Sequence, residues 1–242
     1  MGKRRADWLA GRRAAKTVVA AALGAELPGR WRAAELEIRS AASGMPFAAL
    51  AREARAVGPF APGDRLPVSV TISHLGGHSL CAAIRDPAGG ALPRTLGIDL
   101  GEIEPRSSAF VATFLAEDEQ RWVREAPPGE RDLVTNVVWC AKEAVLKALG
   151  LGLTVDTYAV RCLPGAAPAD PREWALDPGG GAWCGLEITC EPALLPEGTR
   201  VRGIWRELGA GLVGALAVRT LRGGCSENRS RAEPTEEERR SC

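Results

Sequence analysis

The chain has 242 residues, 45% hydrophobic and 25% charged, an ordinary globular usage that argues against wholesale disorder, collagen or coiled coil. At about 150 residues per domain this length fits one large domain or two small ones. Lys and Arg number 31 against 30 Asp and Glu, a net charge of +1, so no overall basic field invites a nucleic acid, and no apolar run approaches the roughly 18 residues of a membrane span.

The first predicted element is a helix from Asp7, a good N-cap residue, to about Leu23, with Gly24 as its stop. Alternation then predicts a short strand at 35–39, a turn at Ser43-Gly44-Met45-Pro46, and strands from Val68 to His74 and from Ser79 to Arg85 around Gly76-Gly77. A strand at 95–100 follows, then helices around 109–124 and 135–149, and strands at 158–162, 186–190, 201–205 and 212–220. Residues 163–183 read as a surface loop, and 222–242 as a polar, disordered tail.

The order of helix followed by antiparallel strands recurs. Trp8-Leu9-Ala10 and Trp139-Cys140-Ala141 each precede a lysine placed eight residues after the Trp, Lys16 and Lys147. Segments 68–84 and 201–218 both read strand, glycine-containing loop, strand. Two copies are too few for a solenoid and fit a duplicated unit. The expected class is α+β: a pseudo-twofold pair of halves, 1–94 and 95–221, each a helix on a small antiparallel sheet, with 222–242 as the tail.

The cysteines, at 81, 140, 162, 184, 190, 225 and 242, are odd in number and contain no Cys-x-x-Cys pair. That fits neither a disulfide framework nor a zinc ribbon, and points to a reducing cytoplasm. Met1 to Arg5 lead into a charged, interrupted stretch rather than a signal-peptide core. The phosphate-binding pattern Gly-x-x-x-x-Gly-Lys-Ser/Thr is absent.

Four groups carry candidate chemistry. Asp99 lies within an apolar strand, where a bare carboxylate needs a cation or hydrogen bonds, so it reads either as a strand-end cap or as a ligand. Glu143 and Lys147 share a helix face, as a surface i,i+4 pair or, with Asp99, as part of a Mg²⁺ site, since Mg²⁺ takes only one or two protein carboxylates. Ser73 and His74 close a strand, as polar loop residues or as a donor pair for a phosphate. Arg12 and Lys16 stand one helical turn apart, as a solvated basic face or as a pair whose repulsion an anion would relieve.

In this order the motifs resemble the Sfp-type 4′-phosphopantetheinyl transferases over roughly residues 7–160. The resemblance rests on Trp8-Leu9-Ala10-Gly11-Arg12-Arg13-Ala14-Ala15-Lys16, Gly44-Met45-Pro46, Ile72-Ser73-His74, Gly97-Ile98-Asp99, Phe114-Leu115-Ala116-Glu117-Asp118-Glu119 and Trp139-Cys140-Ala141-Lys142-Glu143-Ala144 with Lys147. It implies that family's fold and transfer of the phosphopantetheine arm of coenzyme A to a serine of an acyl or peptidyl carrier protein, in polyketide, fatty-acid or peptide synthesis, with Mg²⁺ present and 3′,5′-ADP released. It further implies Asp99 and Glu143 as metal ligands, Glu143, Lys147 and His74 as catalytic residues, and Arg12, Lys16, Ser73, His74, Lys142 and Lys147 as coenzyme A contacts. A monomer is implied too, with neither nucleic acid nor membrane as partner.

Two departures stand out. Many members of the family carry a second acidic residue two positions after the first aspartate, where this chain has Gly101, with Glu102 one step later. Glu102 can take that place only if the chain turns at Gly101. The first half also begins almost directly at its helix, as in transferase domains attached to large synthases. The alternative reading is a catalytically degenerate module that binds coenzyme A or a carrier protein without turnover; a Mg²⁺-dependent nucleotide pyrophosphatase is a distant third.

Overall fold

A computed structural model describes residues 2–24, 32–85, 95–168 and 182–221. The first helix, α1 (Gly2–Gly24), starts ahead of the expected N-cap, so Asp7 lies inside it. Lys3 to Ala6 are all good helix formers and nothing in them stops the helix from extending. Gly11, Ala15, Val19 and Leu23, each four residues apart, form its buried stripe.

That stripe packs on an antiparallel sheet of β1 (Leu36–Ser40), β2 (Pro46–Leu50), β3 (Arg65–Leu75) and β4 (His78–Arg85), in that spatial order. Ala15, Val19 and Leu23 share a core with Leu36, Ile38, Leu50, Leu66, Val68 and Val70. The expected β3 and β4 are present, joined at Gly76 and Gly77, which both take positive φ. Strand β2 escaped prediction because its buried run Ala48-Ala49-Leu50 has no alternation to read.

A second antiparallel sheet contains β5 (Thr95–Glu102), β6 (Val160–Pro168), β7 (Cys184–Cys190), β8 (Thr199–Gly209) and β9 (Leu212–Leu221), in the order β5-β9-β8-β7-β6. Between β5 and β6 run α2 (Ser108–Phe114), α3 (Glu117–Glu125) and α4 (Arg131–Leu149). The single helix expected at 109–124 is thus two, broken where Ala116 turns extended and its N–H donates to Glu119 at 2.7 Å. Strand β6 continues to Pro168, into the stretch expected to be loop. The rest of that loop, at 169–181, and the tail at 222–242 lie outside the described residues.

The molecule is α+β, with antiparallel sheets, as expected. Helix α4 buries Val137, Cys140, Ala141, Ala144, Val145 and Ala148 against Val213, Ala215 and Ala217 of β9. No helix among the described residues is long and apolar enough to cross a membrane.

The closest helix-to-strand approach that positions the site is at Gly97. A Cβ there would lie 2.0 Å from the Ala144 carbonyl oxygen and 2.5 Å from the Ala148 nitrogen, both backbone atoms that cannot swing aside. Gly97→Ala is therefore expected to cost about 3 kcal/mol in urea denaturation by forcing α4 away from β5. A variant as stable as the parent would mean that the helix does not sit this close.

Candidate active site

On β5, Gly97, Asp99 and Gly101 alternate onto one face, and α4 lies against that face, at Ala144 and Ala148 over Gly97 and at Cys140 over Gly101. Asp99 is held beneath the helix between two residues without side chains, at the level of Lys147 one turn past Glu143. Its side chain is 12% exposed. Lys147 Nζ donates to Asp99 Oδ1 at 2.5 Å and to the Ile98 carbonyl at 3.2 Å, and lies 3.9 Å from Glu143 Oε2. One ammonium thus serves two carboxylates.

The outer edge of β5, opposite β9, is closed by side chains. Ile98 N–H donates to Thr71 Oγ1 at 3.3 Å and Leu100 N–H donates to Ser73 Oγ at 3.2 Å, both hydroxyls coming from β3 of the other sheet. Ser73 Oγ in turn donates to Asp99 Oδ1 at 2.9 Å. The site is therefore assembled across the junction of the two sheets.

Its electrostatics follow from burial. Desolvation pushes the Glu143 carboxyl above the ordinary carboxylate range; Lys147 pulls it back and the Asp99 charge pushes it up again. Burial, then the charge and hydrogen bond of Asp99, push the Cys140 thiol well above its usual range, so it stays protonated beside the carboxylate. Removing Lys147 lets the Glu143 carboxyl rise further. A carboxyl whose folded pKa exceeds its unfolded value destabilises the protein as pH rises through the interval between the two. Lys147→Met is thus expected to lose about 1–2 kcal/mol at about pH 7.5, the 31% exposure of the Lys147 side chain and the 16% exposure of Glu143 discounting the cost of a fully buried charge. Part of that loss should return on acidification to about pH 5; a loss independent of pH in urea denaturation would sink the ionic coupling.

The donor set suits a divalent cation in its minimal form. Mg²⁺ completes its octahedron with water and phosphate oxygens around one or two carboxylates. Asp99 and Glu143 supply two, and both already face a cation in the Lys147 ammonium. A third carboxylate is shut out, because a Cβ at Gly101 would stand 2.4 Å from Cys140 Sγ. Glu102 does not replace it: β5 runs unbroken through the Glu102–Leu212 pair, so Glu102 sits exposed on the opposite face. Among the described residues no group of three or more His, Cys, Asp or Glu side chains is gathered for a metal.

The other candidates lie elsewhere. His74 follows Ser73 but is exposed and outside this hydrogen-bond network. Arg12 is engaged on β1, donating to the Ile38 carbonyl and, at 3.3 Å, to Ser40 Oγ, with its guanidinium 4.9 Å from the Trp8 ring centre; burial lowers its pKa. Lys16 is half-buried on α1 with no ion pair among the described residues. Lys142 is fully buried, donating to Glu119 Oε2 at 2.5 Å and to the Val160 carbonyl at 2.6 Å, which leaves it no path to a ligand.

Sequence reading left the tasks of Glu119, Cys140 and Thr71 unassigned. The alternation Gly97-x-Asp99-x-Gly101 was the signal available: small residues flanking a carboxylate on one strand face mark a helix packed close above it.

A two-sheet α+β protein with a buried carboxylate and lysine at the sheet junction is thus defined by fold and site. A family model described as the 4′-phosphopantetheinyl transferase superfamily matches residues 95–192, less than half of the chain but including Asp99, Glu143 and Lys147. Two solved structures overlap weakly. The Thermotoga maritima holo-[acyl-carrier-protein] synthase is 22% identical over 52% of this chain, with a TM-score of 0.35, and only 63% of its length is covered. The Chronobacterium ammoiniagenes apo-ACPS is 19% identical over 55% of this chain and 99% of its own, with a TM-score of 0.38. No curated protein matches the chain.

Proposed function

We propose that this chain transfers the 4′-phosphopantetheine arm of coenzyme A to a serine of a carrier protein, releasing 3′,5′-ADP. The observation that carries the reading is the Asp99, Glu143 and Lys147 cluster at the sheet junction, within the segment matched by the superfamily model. In the reaction the serine oxygen bonds to the phosphorus bearing the pantetheine arm, the pyrophosphate bridge to that phosphorus breaks, and the serine proton leaves.

Lys147, 31% exposed at its side chain, would neutralise charge on the departing phosphate, and Glu143 or a metal-bound water would accept the serine proton. Asp99 and Glu143 would hold Mg²⁺, which on binding supplies charge neutralisation across the pyrophosphate. The exposed His74 and the half-buried Lys16 remain free to reach phosphates from outside the cluster. Lys142 belongs to the core and is not kept as a coenzyme A contact, whereas Arg12, held on β1, keeps further N–H donors for a phosphate. A division into halves at 94 and 95, a monomer and a cytoplasmic setting complete the reading; membership of β1 to β4 in one sheet and β5 to β9 in the other supports the division.

One observation favours a second reading. Cys140 blocks a third carboxylate at Gly101, as a module that binds coenzyme A without turnover would tolerate. Mass spectrometry of apo carrier proteins incubated with this chain and coenzyme A, with Mg²⁺ or with EDTA, separates the two. A Mg²⁺-dependent gain of one phosphopantetheine arm is expected. Intact, bound coenzyme A with no transfer to carriers of fatty-acid, polyketide or peptide type would establish the second reading.

A further inference from the structure

The hydroxyl of Ser73 has no proton left to donate to a phosphate. The residue is 7% exposed, its oxygen accepts the Leu100 N–H at 3.2 Å and its proton goes to Asp99 Oδ1 at 2.9 Å. Resting on the function proposed above, we propose that Ser73 is a positioning residue: its hydroxyl sets the orientation of the Asp99 carboxylate rather than donating to a coenzyme A phosphate.

A carboxylate on a strand turns about two bonds, and packing between glycines gives Asp99 no neighbouring side chain on its own strand face to stop that rotation. Ser73 and Lys147 both engage Oδ1, so Oδ2 carries neither of these bonds, and with the Cys140 thiol, which also bonds Asp99, the donors that fix this orientation come from β3 and α4. Lys147 is long and flexible, with its side chain 31% exposed, whereas Ser73 is short, buried and anchored to the β5 backbone. Ser73 is the stiffer of these two. Because it comes from β3, the setting of a residue in one sheet depends on how the other sheet lies beside it.

Thr71 provides an internal control. It lies two residues earlier on the same face of β3 and makes the matching bond to the Ile98 N–H at 3.3 Å, to backbone alone. Both hydroxyls hold the β5 edge, but Ser73 also holds Asp99.

The test compares Ser73→Ala, Ser73→Thr and Thr71→Val in the full chain, by urea denaturation, by electron paramagnetic resonance titration with Mn²⁺, and by calorimetry of coenzyme A binding in EDTA. Ser73→Ala and Thr71→Val are expected to lose similar stability. Mn²⁺ affinity should fall about tenfold in Ser73→Ala, recover in Ser73→Thr, which keeps the hydroxyl, and stay within about twofold in Thr71→Val. Metal-free coenzyme A affinity should not change in Ser73→Ala. Weaker coenzyme A binding with unchanged Mn²⁺ affinity would return Ser73 to a phosphate contact. Equal Mn²⁺ affinity in Ser73→Ala and Thr71→Val would reduce it to a structural stitch. A folded parent chain that binds neither Mn²⁺ nor coenzyme A would defeat the proposed function itself, and this inference with it.

Discussion

Asp99→Asn is expected to lower the transfer rate by about 100-fold or more while the protein still unfolds cooperatively. The amide oxygen can still accept from Ser73, so the tie between β3 and β5 survives the substitution. What disappears is the charge. Lys147 keeps an oxygen to donate to but loses the negative charge 2.5 Å away, which leaves the Glu143 carboxylate at 3.9 Å as its nearest counter-charge. A buried carboxylate that was paired with a cation becomes a neutral group, and one of the two metal-ligand candidates is removed. Transfer rate by mass spectrometry and unfolding by circular dichroism together read the outcome. Parent-like turnover in a folded Asp99→Asn would remove Asp99 from the chemistry.

The second large effect lies away from the site. Glu119→Ala is expected to destabilise the protein by about 3–5 kcal/mol, with loss of soluble expression if the parent is only marginally stable. Glu119 is 0% exposed and accepts three hydrogen bonds, from Lys142 Nζ at 2.5 Å, Ala116 N–H at 2.7 Å and Cys162 N–H at 2.7 Å. It joins α3, α4 and β6 through one carboxylate. Burial raises its pKa, opposed by Lys142 and by the two N–H groups. Removing it strands a buried ammonium and two backbone donors at once. Glu119→Leu with Lys142→Met should recover part of the loss, since an apolar pair of similar volume avoids the uncompensated charge. If the double variant is less stable than Glu119→Ala in urea, the pair contributes more than it costs and the bookkeeping of charge burial is wrong here.

The pair of lysines on α4 shows how far the sequence could be read. Lys142 and Lys147 stand five residues apart on one helix, and spacing alone places both near Glu143. The helix itself was legible, because Val138, Ala141, Val145 and Leu149 repeat at helical spacing and Gly150 stops it in a left-handed conformation. Which lysine meets solvent was not legible. That depends on β6 and α3 closing over Lys142 while β5 leaves the Lys147 side partly open, and both contacts come from distant segments. Arg12 teaches the same lesson: its helical position was clear, but its capture by the Ile38 carbonyl depends on a hairpin 26 residues away.

From sequence alone came the α+β class, the recurrence of helix and antiparallel strands, and Asp99 as a carboxylate that needs a partner. These are set by periodicity, by turn residues and by the cost of burying charge, all of which act over a few residues. Only the tertiary structure decided that Ser73 serves Asp99, that Cys140 occupies the space opposite Gly101, that Glu102 faces away, and that Lys142 is sealed in the core. The reason is geometric. Each depends on the register of one element against another far along the chain, and a shift of one residue on a strand turns a side chain to the opposite face.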